Sequence, residues 1–293
     1  MSINLDAKSN AGPPAPAIPR RPLGRTGHEA TIFALGGEGV LRTHGRGAEA
    51  VAVVHRALDL GVNYCDTAPA YAGSLDYYGA ALGERRREIF LASKTHDRTR
   101  DGSLRLLDQS LKRLGTDHLD LWQLHDLRTQ ADLKAIFARG GALEALVHAR
   151  EQGLVRFLGL TGHHDPAILL EAMGRFDFDS VLLAVNAADV HRLSFARTVL
   201  VEAARRGMAV IGMKVYAAGV LLRAGLSPRD AMGYVLSLPG VSTVIIGCSS
   251  PAEVDENCRI AREFQPFNDE EMRLLEQRTA PRAALLTGYK RPA

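Results

Sequence analysis

Val62-Asn63-Tyr64-Cys65-Asp66-Thr67-Ala68-Pro69-Ala70-Tyr71 starts as a largely apolar run and turns polar at Asp66. The run Val62–Cys65 is too short for a helix. Short apolar runs of this kind suit strands covered on both faces, as in a parallel sheet. Gly61 stands just before it, where a preceding helix would stop. The segment therefore reads as helix end, buried strand, and a polar strand end that opens into a turn.

The same unit recurs along the chain. Apolar, β-branched runs stand at Thr31–Leu35, Val62–Cys65, Ile89–Ala92, Leu119–Leu124, Val155–Leu160, Val181–Val185, Ala209–Met213 and Thr243–Ile246, with starts 26 to 36 residues apart. That spacing accommodates one strand and one crossover helix. Between them, Leu104, Leu107, Leu111 and Leu114 form a helical stripe that ends at Gly115. Asp165-Pro166, Ser227-Pro228 and Ser250-Pro251 each place a capping residue before a proline at the first helical position. Eight strands alternating with helices predict an α/β fold, a (β/α)8 TIM barrel. The competing doubly wound sheet requires a GxGxxG turn after its first strand, and Leu35-Gly36-Gly37-Glu38-Gly39-Val40 does not supply one. Arg21–Gly27 reads as part of an N-terminal β-hairpin that plugs the barrel bottom. Asn268-Asp269-Glu270-Glu271 reads as a capping box for an extra C-terminal helix.

A chain of 293 residues allows one such barrel or two ordinary domains. No break in composition marks a second domain. The expected organisation is a disordered arm over 1–19, rich in Ala and Pro from Ser9 to Pro19, and a single barrel domain over 20–293. Net charge +3 lacks the clustered excess of Lys and Arg that nucleic-acid binding requires. Lys214 interrupts Met208–Leu222, the most apolar region, so no membrane span is expected. The three cysteines have no CxxC spacing and read as buried thiols. With no basic start and apolar core for a signal peptide, the expected location is cytoplasmic.

Function in such a barrel gathers where strands end. Asp66 ends the second run, Lys94 follows the third and His125 follows the fourth, with Tyr71 in the turn after Asp66. A buried lysine needs a partner, and Asp66 is the nearest. An ammonium beside a phenol favours the phenolate, which predicts a Tyr71 hydroxyl more acidic than its ordinary value of about 10. Tyr71 would then serve as general acid and base, with His125 bonding a substrate oxygen. Such a set delivers a proton to a carbonyl but supplies no electrons. Each of these residues, taken singly, is as well read as structural. Their convergence on successive strand ends carries the argument.

At these residues the chain resembles the aldo-keto reductases. Asp66-Thr67-Ala68 with Tyr71, Gly73–Gly79, Ala92-Ser93-Lys94-Thr95, Asp120–His125 and Gln152–Leu160 resemble successive motifs of that family, with Asp76 where Glu is usual. The resemblance implies an enzyme, an NAD(P)(H)-dependent oxidoreductase, with Asp66, Tyr71, Lys94 and His125 catalytic. It implies a small carbonyl, alcohol or sugar as substrate.

Carried over residue by residue, the resemblance also implies a cofactor site made of Thr161, Asn186, Met213, Lys214, Gly219, Gly247, Ser249, Glu253 and Asn257. Thr161-Gly162 replaces the usual Ser-Asn pair, Asn186 the usual Gln, and Met213 the usual stacking ring. Asn257 matches the family's adenine contact. Glu253 falls where Arg or Gln often meets the 2′-phosphate of NADPH in that family. NADPH is the expected cofactor, with NADH possible because of that carboxylate. His163-His164 lacks a third ligand at a recognisable spacing, so no metal is expected. Trp122 is expected to report cofactor binding by its fluorescence. The short tail ending Thr287-Gly288-Tyr289-Lys290 predicts an open or shallow mouth. The alternatives are a nicotinamide-binding regulatory barrel with little catalysis and a lyase or isomerase using Lys94 as a Schiff base.

Overall fold

The computed structural model describes residues 16–292. Two short strands come first, β1 (Arg20–Pro22) and β2 (Glu29–Thr31), paired antiparallel as the expected hairpin. Eight strands follow: β3 (Phe33–Gly39), β4 (Tyr64–Asp66), β5 (Phe90–Thr95), β6 (Leu119–Leu124), β7 (Val155–Gly162), β8 (Ser180–Ala184), β9 (Ala209–Met213) and β10 (Val241–Cys248). They close in the order β10-β3-β4-β5-β6-β7-β8-β9, every pair parallel. The fold is the expected (β/α)8 barrel.

Strand alternation sorts side chains into two layers. Ala34, Tyr64, Phe90, Leu121, Leu182 and Ile211 fill the barrel interior, while Cys65, Leu91, Trp122, Val181 and Val210 face the surrounding helices. Leu23, in the hairpin turn, is fully buried in the interior cluster and plugs the barrel. Its neighbour Gly24 has φ +53°, and a Cβ there would meet the Ala209 nitrogen at 2.2 Å. Only glycine allows that turn to seat so closely. Thr31, read from sequence as the start of the first barrel strand, ends the hairpin instead, and the barrel strand begins at Phe33.

Asp165, Ser227 and Ser250 cap their helices as expected, and Asn268 forms a capping box on the extra helix Asp269–Thr279. Most of the expected arm, residues 1–15, lies outside the described residues. Ile18 is buried in the outer core, so the packed chain begins ahead of the expected boundary at residue 20. All three cysteines are free and buried. Among the described residues no helix is long and apolar enough to cross a membrane.

Candidate active site

Period-two alternation carries the polar set upward from the barrel core. Tyr64 and Asp66 share the inward face of β4, and Phe90, Ala92 and Lys94 that of β5. Asp66 lies opposite Ala92, and Lys94 opposite Gln123. The side chains thus meet at the C-terminal end of the barrel, where the apolar filling stops.

Lys94 and Asp66 are fully buried and joined by a salt bridge. The Lys94 ammonium also donates to the Thr67 carbonyl at 2.9 Å, and the Gln123 amide donates to the second Asp66 oxygen at 3.2 Å. A buried ion pair persists only when its remaining valences are met in this way. Gln123 was not singled out from sequence. Its signal was its place two residues before His125, on the same strand face.

Tyr71 packs over this pair, with the Lys94 ammonium 4.8 Å from its ring centroid. The His125 ring stands edge-on to it at 5.6 Å. On the other side lies Gly37 of β3. A Cβ at Gly37 would meet Tyr71 Cδ2 at 2.9 Å and the Asp66 carbonyl at 2.9 Å. Absence of a side chain at Gly37 therefore sets where the Tyr71 ring rests.

The electrostatics correct one expectation. Burial raises the Tyr71 hydroxyl above its ordinary pKa, and the downward pull of Lys94 offsets this only in part, against Asp66 and Glu38. The phenol is thus a weaker acid than in water, because desolvation outweighs one nearby cation. Burial also pulls on the Lys94 ammonium, but Asp66 and Tyr71 hold it above the ordinary lysine value. Burial, then Lys94, depresses His125 to about 2, so its imidazole is neutral. Arg98, also missed from sequence, holds the loop carbonyls of His125 and Asp126 at 2.9 and 3.0 Å.

The residues expected to hold the cofactor lie on the same face, across β7 to β10. Thr161 is buried in β7, and its hydroxyl accepts from the Asp126 backbone at 2.7 Å. Asn186 donates to the Lys214 carbonyl at 3.1 Å and to the Tyr289 hydroxyl at 3.0 Å. Met213 ends β9, half-buried against the barrel interior. Burial lowers the Lys214 ammonium, which lies 5.2 Å from the Tyr289 ring centroid. Gly219 turns at φ +79°. Asn257, in the helix Pro251–Arg262, accepts from the Tyr216 hydroxyl at 2.7 Å and so ties that helix to the loop after β9.

Gly247 presses on Glu38 across the β10–β3 pair, where a Cβ would lie 2.6 Å away. Beyond it, the Ser249 N–H donates to the Glu253 carboxylate at 2.7 Å, ahead of the helix Pro251–Arg262. The loop already holds an anion of the chain itself, as an exposed helix N-terminus favours. Tyr289 likewise offers the Asn186 amide an oxygen. These two internal stand-ins fit a site for a group with phosphates at one end and a carboxamide at the other.

The tail packs back against the loops that follow β7 and β8. Lys290 is fully buried, salt-bridged to Asp189, and donates to the carbonyls of Arg192 and Leu193 at 2.9 and 3.1 Å. The Arg291 N–H donates to the His164 carbonyl at 3.1 Å. A buried ion pair thus anchors a tail that looks short in sequence. Trp122 is fully buried beneath the helices, on the opposite strand face from Gln123.

Comparison with known proteins agrees with this architecture. The profile of the aldo/keto reductase family matches residues 35–233. The uncharacterized oxidoreductase YqkF of Bacillus subtilis is 25% identical, over 79% of this chain and 88% of its own. The pyridoxal 4-dehydrogenase of Microbacterium luteolum is 26% identical, over 82% and 92%. An aldo-keto reductase of Bacillus halodurans superposes with a TM-score of 0.75 at 23% identity, covering 89% of this chain and 96% of its own. One from Klebsiella pneumoniae, solved with NADPH, gives 0.74 at 21% identity, over 90% and 96%. The chain belongs to the aldo/keto reductase family of NAD(P)-dependent oxidoreductases.

Proposed function

We propose that the protein reduces aldehydes or ketones, and oxidises the corresponding alcohols or sugars, with Tyr71 as the group that gives and takes the proton. The observation that carries this reading is the packing of Tyr71 over the buried Lys94–Asp66 pair beside a neutral His125. NADPH, when bound, supplies the hydride to the carbonyl carbon. Ser249, Glu253 and Asn257 would lie at its adenosine end, with Gly219, Gly247 and Lys214 along the phosphates. Thr161, Asn186 and Met213 would lie at the nicotinamide.

His125, being neutral, donates a hydrogen bond to the carbonyl oxygen and sets the angle of the carbonyl. The Tyr71 hydroxyl passes its proton to that oxygen as negative charge develops there. Lys94 stabilises the phenolate that remains, and Asp66 with Gln123 keeps the ammonium in place. In the oxidation direction the same phenolate accepts the alcohol proton. Positioned proton transfer of this kind contributes about 10²–10⁴ in rate.

Purified protein is expected to consume NADPH with a reactive aldehyde such as 4-nitrobenzaldehyde. Tyr71→Phe should abolish turnover while NADPH fluorescence still reports binding. Unchanged turnover in Tyr71→Phe would reject Tyr71 as the acid. NADPH binding with no turnover across a carbonyl and sugar panel would favour the regulatory barrel. The reading includes a preference for NADPH over NADH that Glu253 weakens by like-charge repulsion. Glu253→Arg should strengthen it, and an unchanged ratio would remove Glu253 from the contact.

A further inference from the structure

Two imidazoles and a carboxylate converge at the rim of the mouth, apart from the residues used above for proton transfer. His163 and His164 directly follow β7, and Asp126 lies two residues beyond β6. His163 Nδ1 lies 3.2 Å from Asp126 Oδ1, and His164 Nε2 lies 3.6 Å from the same oxygen. All three atoms fall within 4.8 Å of one another. A tetrahedral zinc-class ion, bound at about 2.0–2.2 Å by nitrogen and oxygen, sets its ligand atoms about 3.3–3.6 Å apart. The observed separations from Asp126 match that geometry.

Hydrogen bonding within the cluster does not account for it. Asp126 Oδ1 and His164 Nε2 are both buried, and neither has a hydrogen-bond partner. Buried polar atoms are rarely left so. The rest of Asp126 is tied down. Its second carboxylate oxygen accepts from Arg128 at 2.7 Å, its N–H donates to Thr161 at 2.7 Å, and Arg98 holds its carbonyl at 3.0 Å. Its backbone sits at φ +56°, in the left-handed region that aspartate tolerates better than most residues. The loop is thus held so that the carboxylate oxygen without a hydrogen bond faces two imidazoles.

We infer that Asp126, His163 and His164 form a site for one divalent cation of the zinc class, with a fourth position left to water or a substrate oxygen. Three protein ligands with an open position are the pattern of reactive rather than purely structural sites. Two of its three ligands are imidazoles, so the site favours a zinc-class cation over magnesium or calcium, which take oxygen ligands.

The test uses full-length protein without a histidine tag, stripped with a chelator and then freed of it, with no cofactor or substrate present. Zn²⁺ titrated by calorimetry should bind one ion per chain. Co²⁺ should develop the visible absorption of a tetrahedral site. His163→Ala and His164→Ala should each weaken Zn²⁺ binding by at least about 100-fold, more than loss of an outer-sphere partner costs. Asp126→Asn, which keeps the side-chain shape, should weaken it in the same direction with the fold intact by circular dichroism. Absence of stoichiometric binding, or an affinity unchanged in His164→Ala and Asp126→Asn, would overturn the inference. Neither result bears on Tyr71, so the two readings fail separately.

Discussion

The Asn186 amide donates to the Tyr289 hydroxyl at 3.0 Å, tying the start of the loop after β8 to the C-terminal tail. The ring of Tyr289 also stacks edge-on to His163 at 6.1 Å and lies over the Lys214 ammonium. One tail residue therefore occupies three partners on the side of the mouth where a nicotinamide would lie.

Removing that side chain should free the site. Tyr289→Ala is expected to tighten NADPH binding several-fold, since a lost internal hydrogen bond contributes about 0.5–1.5 kcal/mol against the incoming group. Fluorescence titration measures it. An equal or weaker affinity would show that Tyr289 supports the cofactor instead of competing with it.

The tail is anchored one residue further on. Asp189 accepts from the N–H groups of Phe195 and Ala196 and from the Ser194 hydroxyl, and is fully buried with Lys290. Lys290→Met leaves that carboxylate without its cation, at a cost of about 3–5 kcal/mol. Urea unfolding should show the loss as a lower midpoint. A midpoint within error of the parent would mean that the anchor adds nothing net.

The acid–base groups predict the pH profile. The Tyr71 pKa is raised above its ordinary value, so its protonated form persists through neutral and mildly alkaline pH. Reduction should therefore stay level there and fall only as pH rises through the raised pKa. His125, depressed to about 2, should add no acidic limb in the ordinary range. Lys94→Met removes the one large downward pull on Tyr71 and should lower kcat by about 10²–10⁴. An alkaline limb that begins near neutrality would contradict this assignment.

Gly37→Ala tests the seat of Tyr71. The added Cβ would lie 2.7 Å from Ser74 Oγ and 2.9 Å from Tyr71 Cδ2, so the ring must shift. Overpacking of this kind costs about 1–3 kcal/mol. We expect kcat to drop with NADPH affinity unchanged, and a parent-like kcat would show that the ring position is not limiting.

Much of the fold was legible before any coordinates. The strands are legible because each is a continuous apolar run between helix stops, and Gly61 and Gly115 mark such stops plainly. Asp66, Lys94 and His125 were legible because each interrupts or ends such a run, and neighbouring strands bring their ends together. Gln123 and Arg98 were not. The place of Gln123 two residues before His125 puts it on the inward face, but only the packed barrel brings its amide to the Asp66 carboxylate.

Local pattern in the chain is enough to specify the barrel and the gathering of an acid, a lysine, a tyrosine and a histidine at one end of it. Both follow from period-two alternation and strand order, which are local properties of the chain. The acidity of Tyr71 instead depends on three-dimensional packing, since desolvation reflects everything around the ring. Tertiary contacts alone bring Asp126 to His163 and His164, and the tail back over a loop 103 residues upstream. Those meetings depend on loop paths and buried ion pairs between distant segments, which no local periodicity encodes.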